Sequence, residues 1–138
     1  MINHKLIRPL VALVLGLLLA VYAYQRITDP EPARQRAREE AVVMSAREIL
    51  QSYVAPGAEI EFVDPVSPNR KVGKVYVFPA EHGWEISGHY RRNESDSWHP
   101  YLMNLSREAE LESLAVRDGA DRLIGMSAQD PKFSAVPP

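Results

Sequence analysis

The chain has 138 residues and, once an apolar N-terminal segment is set aside, about 100 remain, enough for one small domain. Without Lys5 and Arg8, which precede that segment, 14 basic and 18 acidic side chains give a net charge of −4, which argues against a nucleic-acid binder. The chain has no cysteine, which excludes disulfides, thiolate metal sites and a cysteine nucleophile.

Residues 9–27 predict a transmembrane anchor after a short cytoplasmic lead at 1–8. Between Pro9 and Tyr24 there is no charge, and such a segment must be helical in lipid because its backbone has no other hydrogen-bond partners. Its length, roughly 24 Å at 1.5 Å per residue, is tolerable because flanking arginines reach the headgroups. We expect a retained anchor. A cleaved signal is the alternative, since residues 21–23 form a small-x-small cleavage box.

Basic residues lie on both sides of the span. Lys5, Arg8 and the amino terminus favour a cytoplasmic N-terminus, so we expect a single-pass protein of the bacterial inner membrane with a periplasmic C-terminal domain. Four arginines follow the uncharged run that ends at Tyr24, and they either begin a solvated helix or contact anionic lipid headgroups, at about 1 kcal/mol each. They are Arg26, Arg34, Arg36 and Arg38.

Residues 28–57 predict a juxtamembrane linker and an amphipathic helix. Thr28 or Asp29 is a suitable cap, with Pro30 in the first position, and residues 55–57 (Ala-Pro-Gly) stop the helix. One face carries an apolar stripe, which needs a surface to pack on. The stripe consists of Val42, Ala46, Ile49, Leu50 and Tyr53.

Residues 58–127 predict the antiparallel, β-rich part of the same domain. Strands are expected in 58–64, 71–79, 84–92 and 98–106, where turn residues separate alternating or apolar runs. The run from Val75 to Phe78 is apolar on both faces, as in a central strand. Pro100 indicates an edge strand or a bulge.

The segment from 107 to 127 allows two interpretations. Ser106 could cap a helix over 107–117, or Asp118-Gly119 could turn a hairpin between strands at 114–117 and 122–126. The hairpin is favoured, and residues 128–138 are expected to form a loose tail because they contain three prolines. The predicted fold is α+β: an N-terminal transmembrane helix, then one long helix packed on an antiparallel meander sheet of four to six strands. This order of elements is similar to that of cystatin-like domains, but no residue motif accompanies it.

Catalytic and metal motifs are not found in the sequence. His82, His89 and His99 lie near one predicted hairpin but lack the spacing of a zinc site. No serine stands in a G-x-S-x-G or S-x-x-K motif, and no glycine-rich loop precedes a helix. We therefore expect a non-enzymatic protein without a cofactor.

Aromatic and basic residues cluster around two consecutive predicted strands. They either fill the core under the helix or form an exposed partner-binding patch, because Trp, Tyr and Arg dominate interface hot spots. The candidate patch consists of Tyr90, Arg91, Arg92, Trp98, His99 and Tyr101.

These observations predict a membrane-anchored accessory, assembly or scaffold protein of a bacterial inner-membrane complex. Its expected partners are the lipid bilayer and a protein at the inner membrane, and the sequence does not indicate an oligomeric state. A periplasmic immunity or exclusion protein is the binding-class alternative. A small metal-dependent hydrolase is the enzymatic one.

Overall fold

A computed structural model describes residues 4–138 of the chain. These residues form two compact units that divide between Gln35 and Arg36. The elements are α1 (His4–Thr28), α2 (Glu31–Val54), β1 (Glu61–Val63), β2 (Tyr76–Ala80), β3 (Gly83–Arg91), β4 (His99–Ser106), β5 (Leu111–Arg117), α3 (Asp121–Gln129) and β6 (Phe133–Val136).

Helix α1 contains the predicted span. It begins at His4, so the second half of the expected lead at 1–8 is helical, while residues 1–3 lie outside the described residues. Its leucine and valine side chains are exposed along its length. Among residues 4–138 one helical stretch, which contains α1, is long and apolar enough to cross a membrane.

Helix α2 begins and ends where the sequence predicts. The Asp29 carboxylate accepts the Glu31 N–H at 3.1 Å, which caps the first turn. After Val54 the Ala55 N–H still bonds to the Gln51 carbonyl at 2.9 Å, and Gly57 leaves the helix with a positive φ of 78°. The apolar stripe faces the core: Val42, Ala46 and Leu50 are buried, and Ile49 and Tyr53 pack against them.

The α+β class is confirmed, with a six-stranded mixed sheet in place of the expected antiparallel meander. The strand order is β1-β3-β4-β5-β6, and β2 also pairs with β3. All neighbours are antiparallel except β5 and β6, which are parallel. Strands β1 and β2 therefore share one edge of β3, at its C-terminal and N-terminal halves respectively.

Two expectations about strand position are wrong. Strand β2 lies at an edge and not at the centre, so Tyr76 and Phe78 stay partly exposed. Strand β4, which contains Pro100, is central. The proline is tolerated there because the β4–β5 ladder starts at Tyr101, and the irregularity in register falls later, between Asn104 and Leu105.

The predicted hairpin around Asp118-Gly119 is also wrong in its second half. Strand β5 contains residues 114–117, but residues 121–129 form α3, and Gly119 lacks the positive φ that a two-residue hairpin turn needs. Leu123 is fully buried, and Ala120 and Met126 pack against the core at helical spacing. The helix forms the crossover that lets β6 run parallel to β5.

The expected loose tail is ordered into β6. Phe133 and Ala135 are buried, and Phe133 stacks on Tyr53 of α2 with ring centroids 5.1 Å apart. Prolines 131, 137 and 138 lie outside the strand and therefore remove none of its hydrogen-bond donors. Burial of an aromatic ring under α2 explains why this short strand is held in the sheet.

We expect Phe133→Ala to lower the free energy of unfolding by about 3–5 kcal/mol, because it leaves a cavity under α2. Denaturant unfolding of the full chain in detergent, followed through Trp84 and Trp98 fluorescence, measures this. Val136→Ala in the same strand is the control, since Val136 is 52% exposed and should cost less than about 1 kcal/mol. Equal losses in the two variants would contradict the burial of β6.

Candidate protein-binding surface

The structure divides the predicted aromatic patch between the two faces of the sheet. Consecutive strand residues point to opposite faces, so Tyr90 and Arg91 of β3 cannot share one surface. Tyr90, His99 and Tyr101 are buried. The expectation of one exposed patch is therefore wrong for these three residues, and the core interpretation is correct for them.

The buried part of the patch forms a polar network at one end of the core. The Tyr90 hydroxyl donates to Asp118 Oδ2 at 2.6 Å, and Arg92 Nη2 lies 2.7 Å from the same oxygen. His99 Nδ1 lies 3.0 Å from the Arg117 carbonyl and Nε2 lies 3.1 Å from Asp96 Oδ1. Through its contact with Asp118, Arg92 joins the end of β3 to the end of β5.

Burial and hydrogen bonding act in opposite directions on the carboxylates of this network. Burial alone would raise the pKa of Asp118, but hydrogen bonds from Tyr90, Arg92 and the Ala120 N–H outweigh it, and the pKa is lowered. The pKa of Asp96 is lowered in the same way, by the Arg92 backbone N–H and by His99, against the effect of its burial. Both residues therefore favour the ionised state in the folded protein.

Arg91 and Trp98 of the patch lie outside the buried network. The Arg91 guanidinium lies over the Trp98 ring, 4.5 Å from its centroid, and also pairs with Glu61. Both side chains are half-buried. An arginine that already has a carboxylate and a ring as partners is less available to a binding partner.

The four arginines proposed for lipid contact are all exposed. Arg26 lies in the last turn of α1, where its Nε donates to the Tyr22 hydroxyl at 3.3 Å. Arg34, Arg36 and Arg38 lie in the first two turns of α2. Arg36 also borders a groove beside Glu39, Glu40 and Val43.

The three histidines are not brought together. His82 is exposed in the turn between β2 and β3, His89 is half-buried under Gly73, and His99 belongs to the buried network. Within residues 4–138 no group of three or more histidines and carboxylates is arranged to hold a metal ion.

The surface that sequence reasoning missed is the second face of the sheet, which we call the open face. In residues 36–138, α2 packs on one face, and α3 joins it there because Arg122 donates to the Tyr53 carbonyl at 2.9 Å and Leu123 enters the same core. The opposite face has one continuous row of cross-strand neighbours. The row consists of Tyr76, Ser87, Leu102, Ala115 and Ser134.

Large apolar side chains on the open face remain accessible. Tyr76 is 38% exposed, Phe78 43%, Leu102 38% and Val136 52%. Between them, the small side chains of Ser87 and Ala115 form the floor of a groove of about 460 Å³, with Arg117 and Pro100 on its border. Such a contiguous apolar area in a small domain is typical of a binding surface.

A second groove adjoins the first at Tyr76, which lines both. It has a volume of about 660 Å³ and is bordered by Arg70, Gly73 and Lys74 of the loop between β1 and β2. Asp64 holds the start of this loop: it is fully buried, accepts two hydrogen bonds from Arg47 of α2, and also accepts the N–H groups of Val66 and Ser67. The loop is therefore fixed at its start to the domain.

Comparison with known proteins places the chain in no group: no family model, curated protein or solved structure matches it. The class that the fold defines is a small α+β domain that follows an apolar helix of membrane-spanning length.

Two tyrosine variants test the polar network. Tyr90→Phe should lower the free energy of unfolding by about 1–2 kcal/mol, because Asp118 loses a buried donor. Tyr101→Phe is the matched control: its hydroxyl is buried with no partner among the described residues, so its removal should leave stability unchanged or raise it by about 1 kcal/mol. Denaturant unfolding in detergent compares them, and the reverse order of stabilities would contradict the network.

The lowered pKa of Asp118 predicts a pH-dependent stability. A carboxylate whose pKa is lowered by folding stabilises the protein fully when the pH is above the pKa of the unfolded state, about 3.9. This contribution is lost as the pH falls through the lower pKa of the folded state. Asp118→Asn should therefore cost about 2 kcal/mol at pH 7. The difference in the free energy of unfolding between this variant and the unmodified protein should shrink below about pH 4. Unfolding curves between pH 7 and pH 2.5 measure it, and a constant difference would contradict the assignment.

Proposed function

We propose that this protein is a non-enzymatic, single-pass accessory or assembly protein of a bacterial inner-membrane complex. Helix α1 is the retained anchor, its N-terminus is cytoplasmic, and the α+β domain lies in the periplasm and binds a partner protein. The observation that supports this most strongly is the combination, in one short chain, of an apolar helix of spanning length and a sheet face with accessible apolar side chains.

Tethering explains how a surface of this size suffices for binding. A domain held at the membrane meets partners in the same plane at a high effective concentration, so a modest contact area gives stable association. The arginines that follow α1 in sequence add attraction to anionic headgroups, which supports the domain at the membrane surface.

Anchoring is tested with two substitutions in α1. Leu15→Arg combined with Leu18→Arg places two charges near the middle of the span, at about 2.5–3.5 kcal/mol each for insertion. We expect the protein to leave the carbonate-resistant membrane fraction. Ile27→Arg, at the end of α1, is the control and should stay membrane-bound because its charge can reach the headgroups. A mature N-terminus near Tyr24 in the soluble fraction would contradict the anchor.

Orientation and partner binding need two further measurements. Alkaline phosphatase fused after Pro138 should be active and a fluorescent cytoplasmic reporter at the same position dark. Mild detergent extraction should then recover a membrane protein in stoichiometric amount with the tagged full-length chain. A cytoplasmic C-terminus would overturn the compartment, and recovery of the chain alone would overturn the accessory role.

A further inference from the structure

We infer that the open face binds an acidic segment of the partner protein, with an apolar side chain of that segment in the groove and its carboxylates beside Lys74, Arg70 and Arg117. This inference rests on the proposed function and adds to it the surface used and the chemistry of the partner.

The charges around the two grooves are one-sided. From Pro65 to Ala80 the charged residues are Arg70, Lys71 and Lys74, with no acid, in a chain whose net charge is −2. Arg117 adds a fourth exposed cation at the other side of the groove. Glu85 and Glu61 also lie in the strand rows of this face, and both already have partners. The Glu85 carboxylate accepts the Tyr76 hydroxyl at 2.9 Å, and Glu61 pairs with Arg91.

These cations have no acidic partner, in contrast to three arginines that form ion pairs within the domain. Arg47, Arg91 and Arg92 each form an ion pair with a carboxylate. Within residues 4–138, no carboxylate lies within ion-pair distance of the side chains of Arg70, Lys71, Lys74 or Arg117. Unpaired charges of one sign around an apolar floor are complementary to an acidic ligand.

The shape of the surface favours a protein segment over a flat membrane surface. Ser87 lies between the larger Tyr76 and Leu102, and Ala115 lies on the other side of Leu102, so small residues form the floor of the groove beside larger side chains. A single side chain can fill such a depression, whereas a lipid surface would contact only its border. Interfaces of this kind have an apolar centre with a polar rim, which is the arrangement on the open face.

Site-specific photocrosslinking in native membranes tests the inference. A photoreactive phenylalanine analogue replaces Leu102 in the groove of the full-length chain or, as the reference position, the exposed Ser52 on α2. The crosslinked partner peptide is then sequenced. We expect crosslinks from position 102 to a segment of another protein with net negative charge and at least one large apolar residue.

Charge reversal provides the matched control. Lys74→Glu should lower the crosslink yield from position 102 by about tenfold, since like charges now face each other. Arg107→Glu makes the same charge change in the turn between β4 and β5, outside both grooves, and should leave the yield unchanged. Equal effects of the two reversals would overturn the role of the basic rim.

The other outcomes separate the inference from the proposed function. Crosslinks from position 102 to lipid, to a second copy of this chain or to a segment without net negative charge would overturn the inference. Crosslinks to a partner protein from position 52 alone would overturn it as well but support the accessory role. The lack of any protein crosslink from both positions would overturn both.

Discussion

The packing of the apolar stripe of α2 against one face of the sheet organises the domain. Val42, Ala46, Leu50 and Val54 recur at helical spacing and pack on the inward side chains of β3, β4 and β5. Helix α3 extends the same layer, and the result is two layers in which each sheet residue faces either the helices or the outside. The alternation of side chains along each strand then decides which of them are buried under the helices and which are exposed on the opposite face.

This alternation accounts for the polar network. Tyr90 must face the helices because Ile86 and Gly88 do, and a buried phenol needs a hydrogen-bond partner. Asp118 supplies that partner at the end of β5, and Arg92 neutralises it. The Arg92 Nη2 atom also approaches the Val54 carbonyl at the C-terminus of α2, at 3.4 Å. A single buried hydroxyl thus fixes where the ends of two strands and a helix meet.

The sequence predicted the elements with strong local signals and failed where tertiary contacts decide. Local signals predicted the ends and the apolar stripe of α2, because Asp29 and Gly57 act on their own neighbours in the chain. The alternating pattern over 84–92 predicted β3 in the same way. Strand β6 could not be predicted in this way, because its position depends on the contact between Phe133 and Tyr53, which lies 80 positions earlier in the chain. Asp118-Gly119 has the composition of a hairpin turn, but the buried side chains of Leu123 and Asp118 favour a helix beyond it.

The candidate surface was missed for the same reason. Tyr76 and Phe78 look like core residues in the sequence because an apolar run is typical of a central strand. Pairing with β3 alone leaves β2 at an edge, and their rings stack on each other, with centroids 5.0 Å apart, on the open face. Arg70, Lys71 and Lys74 gain significance only once the loop that carries them is placed beside this apolar face. The local excess of positive charge adjoins apolar area on a face that no helix of the domain covers, and that combination is the basis for proposing a docking surface there.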